Sequence, residues 1–312
     1  AGAGAGTAGT VTVGSVLANG ITFNTPNAGS YTLSGGTITL DGTTPTLTVN
    51  SATAVINSAL AGTVGVTKAG AGALTLGGTT ANTLLGVTLV NAGTLTLNKT
   101  AGLDAIADDL TIAGGTVVWN ASNQMANAAD ILVSGGQLNF NNASETFASY
   151  TQSSGGWLAA GSNVGSISVT GAFNVSGGNQ FVVNSGGQLS VGSMSLTGGS
   201  GLLVGGNGST LTTVTVGSGG LTLNGRTIQL NLASIAGRVG NSLNLQGTLS
   251  NTGGSSIIQA DAATTPLSGS VAQVDLGADR ILDITGGSLT ISNSLTVLGT
   301  GTTVKSGIGT LN

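Results

Sequence analysis

The sequence predicts an all-β protein, a right-handed parallel β-helix with coils of about 21 residues. Three observations predict it. Glycine supplies 56 of 312 residues while charged residues make up only 5%, so the chain lacks the charged helix formers a helical protein uses. A small residue followed by glycine recurs at a fixed step. Short apolar alternations rich in Thr, Val, Leu and Ile stand on either side of each recurrence.

The recurrence is the strongest of the three. Gly72, Gly93, Gly115, Gly136, Gly156, Gly178, Gly199 and Gly220 follow one another at steps of 21, 22, 21, 20, 22, 21 and 21. Gly36 opens GGTITL with the same texture, and beyond Gly220 the spacing is read as shortening to a less regular register through Gly254 and Gly287. Within each period one extended stretch follows the glycine, as in Leu74 to Leu76 or Leu95 to Leu97. Another precedes the next glycine, as in Val87 to Val90 or Leu110 to Ile112. A unit of this size cannot bury its own apolar face, whereas stacking successive units in parallel does. Crossovers between parallel strands then favour the right-handed winding. Dividing 312 by the period gives roughly fifteen coils.

Organisation is read as one continuous β-solenoid over 1–312. Lead-in coils occupy 1–63, the most regular repeat 64–100, and further coils 101–312, the last of them less regular. The opening AGAGAGTAGT has neither a basic region nor an apolar one and is not expected to be a signal peptide. No run of eighteen apolar residues is present to span a membrane as a helix.

The register names a core. Ile38, Leu40, Leu74, Leu76, Leu95, Leu97, Val117, Trp119, Leu138 and Phe140 stand two and four residues after their glycines and are expected to form inward ladders, with Thr39, Thr75, Thr96 and Val118 facing out. Trp119 and Phe140 fall on these ladders and read as core filling rather than a sugar platform. Trp157 lies off the ladder and is the candidate for exposure. Asn98, Asn120 and Asn141 come five residues after the glycine, where amides tolerate a left-handed turn and can bond along the axis as a turn ladder.

Residues 64–100, VGVTKAGAGALTLGGTTANTLLGVTLVNAGTLTLNKT, resemble the autotransporter-associated β-strand repeat, with Lys68, Gly70, Gly72, Leu74, Leu76, Gly86, Asn91, Gly93 and Leu95 on its pattern. Ala18 to Leu40 looks like the segment that leads into that repeat, and VKSGIGTL from Val304 to Leu311 resembles the opening of a second copy. Thr83-Leu84-Leu85-Gly86 departs from the usual arch. The resemblance implies a secreted, surface-displayed β-helical passenger, often one piece of a long adhesin-like protein, and implies no particular ligand.

Chemistry is sparse. With no Cys and no His there is no thiol nucleophile, imidazole base, zinc, haem or iron–sulfur site. Lys68, Lys99, Arg226, Arg238, Arg280 and Lys305 are scattered at a net charge of −4, which argues against nucleic acid. Asp104, Asp108 and Asp109 form the one arch where calcium is considered, since acidic arches with carbonyls suit hard cations. The calcium nonapeptide is missing at Gly205, where GGNGSTLTTV offers no Asp. Asp275, Asp279 and Asp283 lie four apart, with Asp279 beside Arg280 as an expected ion pair, and Glu145 is the single Glu. This is a poor set for acid–base catalysis. The reading is therefore a non-enzymatic extracellular structural protein without cofactor. It would form, or belong to, a surface fibre by end-to-end stacking with itself or with neighbouring repeats of a longer chain. An adhesin binding surface glycans or other cells is the alternative, and a polysaccharide lyase or hydrolase the third reading. The expected partner surface is the two bare end coils, whose strand edges lack caps.

Overall fold

The computed structural model describes residues 6–50, 52–157, 165–179, 181–183, 186–198, 201–205, 211–231, 239–260, 271–292 and 295–312, and every regular element among them is a β-strand. Parallel sheets stack as a β-solenoid of about 12 turns with a spacing near 22 residues. Two compact units are present, Ala1–Phe147 and Ala148–Asn312, so the division falls at neither of the boundaries read from the sequence.

In the first unit each turn contributes up to three strands. One face carries Thr10–Val13, Tyr31–Gly35, Thr53–Ile56, Ala73–Gly78, Thr94–Lys99, Thr116–Trp119 and Gln137–Asn139, each parallel to the next. A second carries Gly20–Phe23, Thr46–Val49, Val66–Ala69, Thr88–Val90, Leu110–Ile112 and Asp130–Val133. A third, shorter face runs through Val16–Ala18, Thr37–Leu40, Ala59–Gly62 and Thr83–Leu84. Successive pairs such as Thr10 with Thr32, Ala73 with Thr94 and Thr94 with Thr116 keep the step at 21 or 22 residues.

Alternation along the strands decides what is inside. Leu74, Leu95, Val117 and Leu138 are stacked and buried, as are Leu76, Leu97, Trp119 and Phe140, while Thr75, Thr96 and Val118 between them are half-buried. Ile38 and Leu40 are also buried, but on the third face, where they pair with Leu60 and with Val16 and Ala18. Their place under Leu74 and Leu76 is taken by Ala54 and Ile56, and one coil earlier by Tyr31 and Leu33. The GGTITL texture at Gly36 thus marks a different face, since a glycine followed by an alternation can begin a strand on any of the three.

The glycines of the repeat serve the stacking. Gly115 and Gly136 have φ of +70° and +61°, and a Cβ on either would collide with the carbonyl oxygen of the glycine one coil earlier, Gly93 or Gly115. Both left-handed backbone and close approach exclude a side chain there. At two of the expected marks the left-handed residue is a neighbour, Gly70 in place of Gly72 and Gly155 in place of Gly156. Gly199 and Arg238 lie outside the described residues.

The second unit keeps parallel pairing but lengthens its coils. Phe181 pairs with Leu202, Leu202 with Ile228, Ile228 with Ile258, Ser255 with Ser288 and Ser288 with Thr310, giving steps of 21, 26, 30, 33 and 22. The spacing after Gly220 therefore widens instead of shortening, and Gly220, Gly254 and Gly287 remain left-handed across intervals of 34 and 33 residues. The paired strands stay parallel across these wider steps, with register shifts within the unit between Val169 and Ala172 and between Val239 and Ser242. Longer coils are also why the turns number about 12 and not fifteen. Aromatic rings join this core too: Tyr150 stacks on Phe173 with centroids 4.6 Å apart, and Phe173 meets Phe181 edge-on at 4.8 Å.

Candidate functional site

A solenoid satisfies its backbone by bonding each coil to the two beside it. Among the described residues, Thr10–Val13, Val16–Ala18 and Gly20–Phe23 pair on one side only, with the coil that follows. Thr303–Ser306 and Thr310–Leu311 pair only with the coil that precedes, Arg280–Ile284 and Ser288–Ile291. Large apolar side chains are exposed along these edges: Val11, Val16 and Leu17 in the first coil, and Val297, Leu298, Val304 and Leu311 in the last ones. These two coils carry no charge except Lys305, counting residues 6–30 and 288–312. Apolar, uncharged, unpaired strand edges are templates for strand addition.

Inside the first unit lies a set of buried polar groups that the sequence reading missed. Asn82 accepts the Leu60 N–H at 2.8 Å and donates to the Ala105 carbonyl at 2.8 Å, bridging coils on both sides. Gln124 Oε1 accepts the Lys99 N–H at 2.7 Å. Glu145 Oε2 accepts the Gln124 N–H at 2.6 Å, the Met125 N–H at 3.2 Å and the Trp119 indole N–H at 2.8 Å. Each of these side chains satisfies backbone donors of another coil, those of Leu60 and Lys99 in strands and those of Gln124 and Met125 in an arch. Trp119 is fully buried, touches Phe140 with centroids 4.6 Å apart, and is fixed by this carboxylate. Burial pushes the Glu145 carboxyl upward in pKa, and the N–H donors around it pull it partly back.

Two of the scattered lysines are core residues. Lys68 Nζ donates to the carbonyls of Ala69, Gly70 and Ala92 at 3.0, 2.9 and 2.9 Å, the last belonging to the next coil. Lys99 Nζ donates to the Gly77 carbonyl at 2.8 Å. Both residues are 1% exposed. Burial lowers both ammonium pKa values, that of Lys99 to about 8.

Of the expected turn ladder, Asn98, Asn120 and Asn141 are all exposed, and Asn141 Nδ2 donates to Asn120 Oδ1 at 3.1 Å along the stack. Only Asn141 of the three is left-handed, with φ of +41°. Asp104, Asp108 and Asp109 are not gathered into a cation site: among the described residues no cluster of three or more acidic or other ligating side chains exists. Asp108 accepts the Gly86 N–H of the preceding coil and Asp109 the Asp130 N–H of the following one, each at 2.8 Å. Burial raises the Asp104 carboxyl. Asp275 accepts from Gly277, Asp279 from Thr302 and Asp283 from Ser306. Arg280 donates to the carbonyls of Leu276 and Leu245 at 2.6 and 2.9 Å, so the expected pairing with Asp279 gives way to carbonyl binding. The side chain of Trp157 lies outside the described residues.

Two hollows lie beside the candidate residues. The enclosed one, between Leu47, Lys68, Leu74, Asn82 and Ile106, is a void of about 10 Å³, room for one water at most. An open polar shelf along Asn57, Thr79, Asn98 and Thr100 has no aromatic residue in its lining. Comparison of the chain with protein-family models, with curated proteins and with solved structures finds no match, and nothing among them identifies an autotransporter-associated repeat.

Proposed function

We propose that this chain is a non-enzymatic extracellular structural protein, a β-solenoid that forms a surface fibre, or belongs to one, by end-to-end stacking. The observation that supports this reading is the parallel stacking of successive coils, in which each coil's strands serve as the template for the next over a nearly uncharged chain. A coil added to such a template gains a set of backbone hydrogen bonds and a dry apolar contact together. The resemblance of residues 64–100 to a surface-passenger repeat supports the location outside the cell, and the lack of Cys is consistent with it.

Catalysis has little support. Asp108, Asp109, Asp275, Asp279 and Asp283 are engaged as acceptors for backbone or hydroxyl donors, and Glu145 is sealed in the core at 1% exposure. A glycan-gripping adhesin would use an aromatic platform, and the open polar shelf, though it includes Lys99, has no aromatic residue in its lining.

Negative-stain electron microscopy of the purified 312-residue protein at rising concentration tests the reading. Long uniform fibres are expected, and truncation before Gly287 should shorten or abolish them. Separate short particles at every concentration would overturn it.

A further inference from the structure

Five times the chain reads Asn-X-Ser or Asn-X-Thr with X other than proline, the pattern of an asparagine that accepts an N-linked sugar. The acceptor positions are Asn98, Asn120, Asn142, Asn174 and Asn207, the last outside the described residues. The first three stand 22 residues apart, one coil per step, and all three are exposed. A chain rich in Asn, Ser and Thr produces such triplets by composition alone, so the surroundings decide among them. They single out Asn98.

Asn98 lies in the strand Thr94–Lys99, where alternation sends Lys99 inward at 1% exposure and leaves Asn98 and Thr100 exposed on the outer side. The buried middle residue thus holds the acceptor amide and its companion hydroxyl beside each other. Thr100 is fixed in turn by its N–H, which donates to the Gly78 carbonyl at 3.0 Å. Both residues line the open polar shelf, a hollow of about 720 Å³, together with Asn57, Thr79 and Thr80. None of these five side chains hydrogen-bonds to another described residue. Next to Asn98 the shelf is bare backbone: its paired residue is Gly77, where a Cβ would come within 2.6 Å of Asn57 Oδ1. A strand glycine of this kind leaves room for close approach. Asn120 is placed differently, since its Oδ1 accepts from Asn141 Nδ2 at 3.1 Å.

We propose that Asn98 is the acceptor of an N-linked hexose and that the polar shelf beside it holds the attached ring. Transfer forms a bond from Asn98 Nδ2 to C1 of a nucleotide-activated hexose as the bond from C1 to the diphosphate breaks. The nucleoside diphosphate leaves with the electron pair, and the amide proton passes to a base of the transferase. Without an aromatic residue the shelf is poorly suited to capture a free glycan, but a tethered sugar makes no such demand. Attachment raises its effective concentration, so a few hydrogen bonds from Asn57, Thr79 and Thr80 are enough to seat it. The site goes beyond the fibre reading and needs no contact between copies.

Full-length folded protein, a soluble asparagine glucosyltransferase and uridine diphosphate glucose provide the test, read by mass spectrometry of peptides. The peptide carrying Asn98 should gain one hexose. Asn98→Gln and Thr100→Val should each abolish the gain, and Thr100→Ser should keep it. Mild periodate, which cleaves accessible vicinal diols, then reports where the ring sits. On the folded protein the Asn98 sugar should be oxidised roughly tenfold more slowly than in the isolated glycopeptide, as two hydrogen bonds to the shelf imply. Asn57→Ala/Thr79→Ala leaves the acceptor triplet intact and should remove that protection. Folded protein that gains no hexose at Asn98, under conditions that modify the unfolded chain, would overturn the acceptor site. Equal oxidation rates in protein and glycopeptide would overturn the role of the shelf. Fibre formation by the unmodified protein is a separate measurement, so neither failure counts against the end-to-end reading.

Discussion

Replacing Leu97 by Asp places the sharpest demand on the alternation. Leu97 is fully buried, paired in the stack with Leu76 on one side and Trp119 on the other. Loss of the three outer side-chain carbons costs about 2–3 kcal/mol in transfer at roughly 0.8 kcal/mol each, and the cavity left behind raises this to about 3–5 kcal/mol. The new carboxylate adds to that. Leu76 offers it no donor, and the Trp119 indole N–H is already given to Glu145. Its folded pKa must therefore lie above the unfolded value near 4, so the deficit grows by about 1.4 kcal/mol per pH unit above that value until the folded pKa is reached. Thr96→Asp, one residue away on the half-buried outer face, should cost under about 1 kcal/mol. Because the chain has two compact units, urea unfolding should be read locally, by amide exchange in Ala73–Gly78 and Thr94–Lys99, at pH 4 and pH 7. Equal losses at the two sites, or a Leu97→Asp deficit that does not grow with pH, would refute the assignment of inside and outside.

Other outcomes follow from the buried polar groups and the glycine stack. Glu145→Ala leaves four N–H donors unsatisfied, those of Trp119, Gln124, Met125 and Thr146, and should destabilise the first unit by at least about 3 kcal/mol in denaturant titration. Glu145→Gln should cost far less and gain on the parent as pH rises from 4 to 7, because a carboxyl with a raised folded pKa loses stability over that interval. Lys99 has the opposite sign. Its folded pKa of about 8 lies below the ordinary lysine value, so the unfolded chain binds more protons between pH 8 and 10 and stability should rise there, by an amount on the order of 3 kcal/mol at most, with Lys99→Met abolishing the rise. Gly136→Ala should cost more than Gly102→Ala. Both glycines are left-handed, but a Cβ on Gly102 meets nothing within 4 Å whereas one on Gly136 strikes the Gly115 carbonyl, so equal thermal shifts would contradict the close-approach role.

Much of the fold was legible because a parallel solenoid writes its period into the chain. The glycines Gly93, Gly115 and Gly136 carry the stacking contact, and Leu95, Leu97, Val117 and Trp119 carry the inward ladder, so period and alternation together place them. Face identity was not legible. Thr37–Leu40 and Ala73–Gly78 share a texture yet lie on different faces, because nothing in a local alternation records which corner of the coil precedes it. Coil length in the second unit was misread for a related reason: connections can lengthen without disturbing paired strands, and the glycine marks then drift apart. The polar groups Asn82, Gln124 and Glu145 had no periodic signal at all, since each answers particular backbone donors of another coil. Lys68 and Lys99 looked like surface charges because lysine is seldom buried, and only the carbonyls of Gly70, Gly77 and Ala92 make their positions tolerable. The likeness of the Lys68 and Lys305 segments was legible as a repeated motif, whereas their shared left-handed glycine, at Gly70 and Gly307, was not.

X-ray diffraction from aligned fibres of the purified protein tests the central claim most directly. Coils that stack from copy to copy run their strands across the fibre, so a strong reflection near 4.8 Å should lie on the meridian, along the fibre axis. The pattern should persist between low and high salt, since so few charges take part. A 4.8 Å reflection on the equator, or fibres that dissolve as salt is raised, would contradict end-to-end stacking of the solenoid.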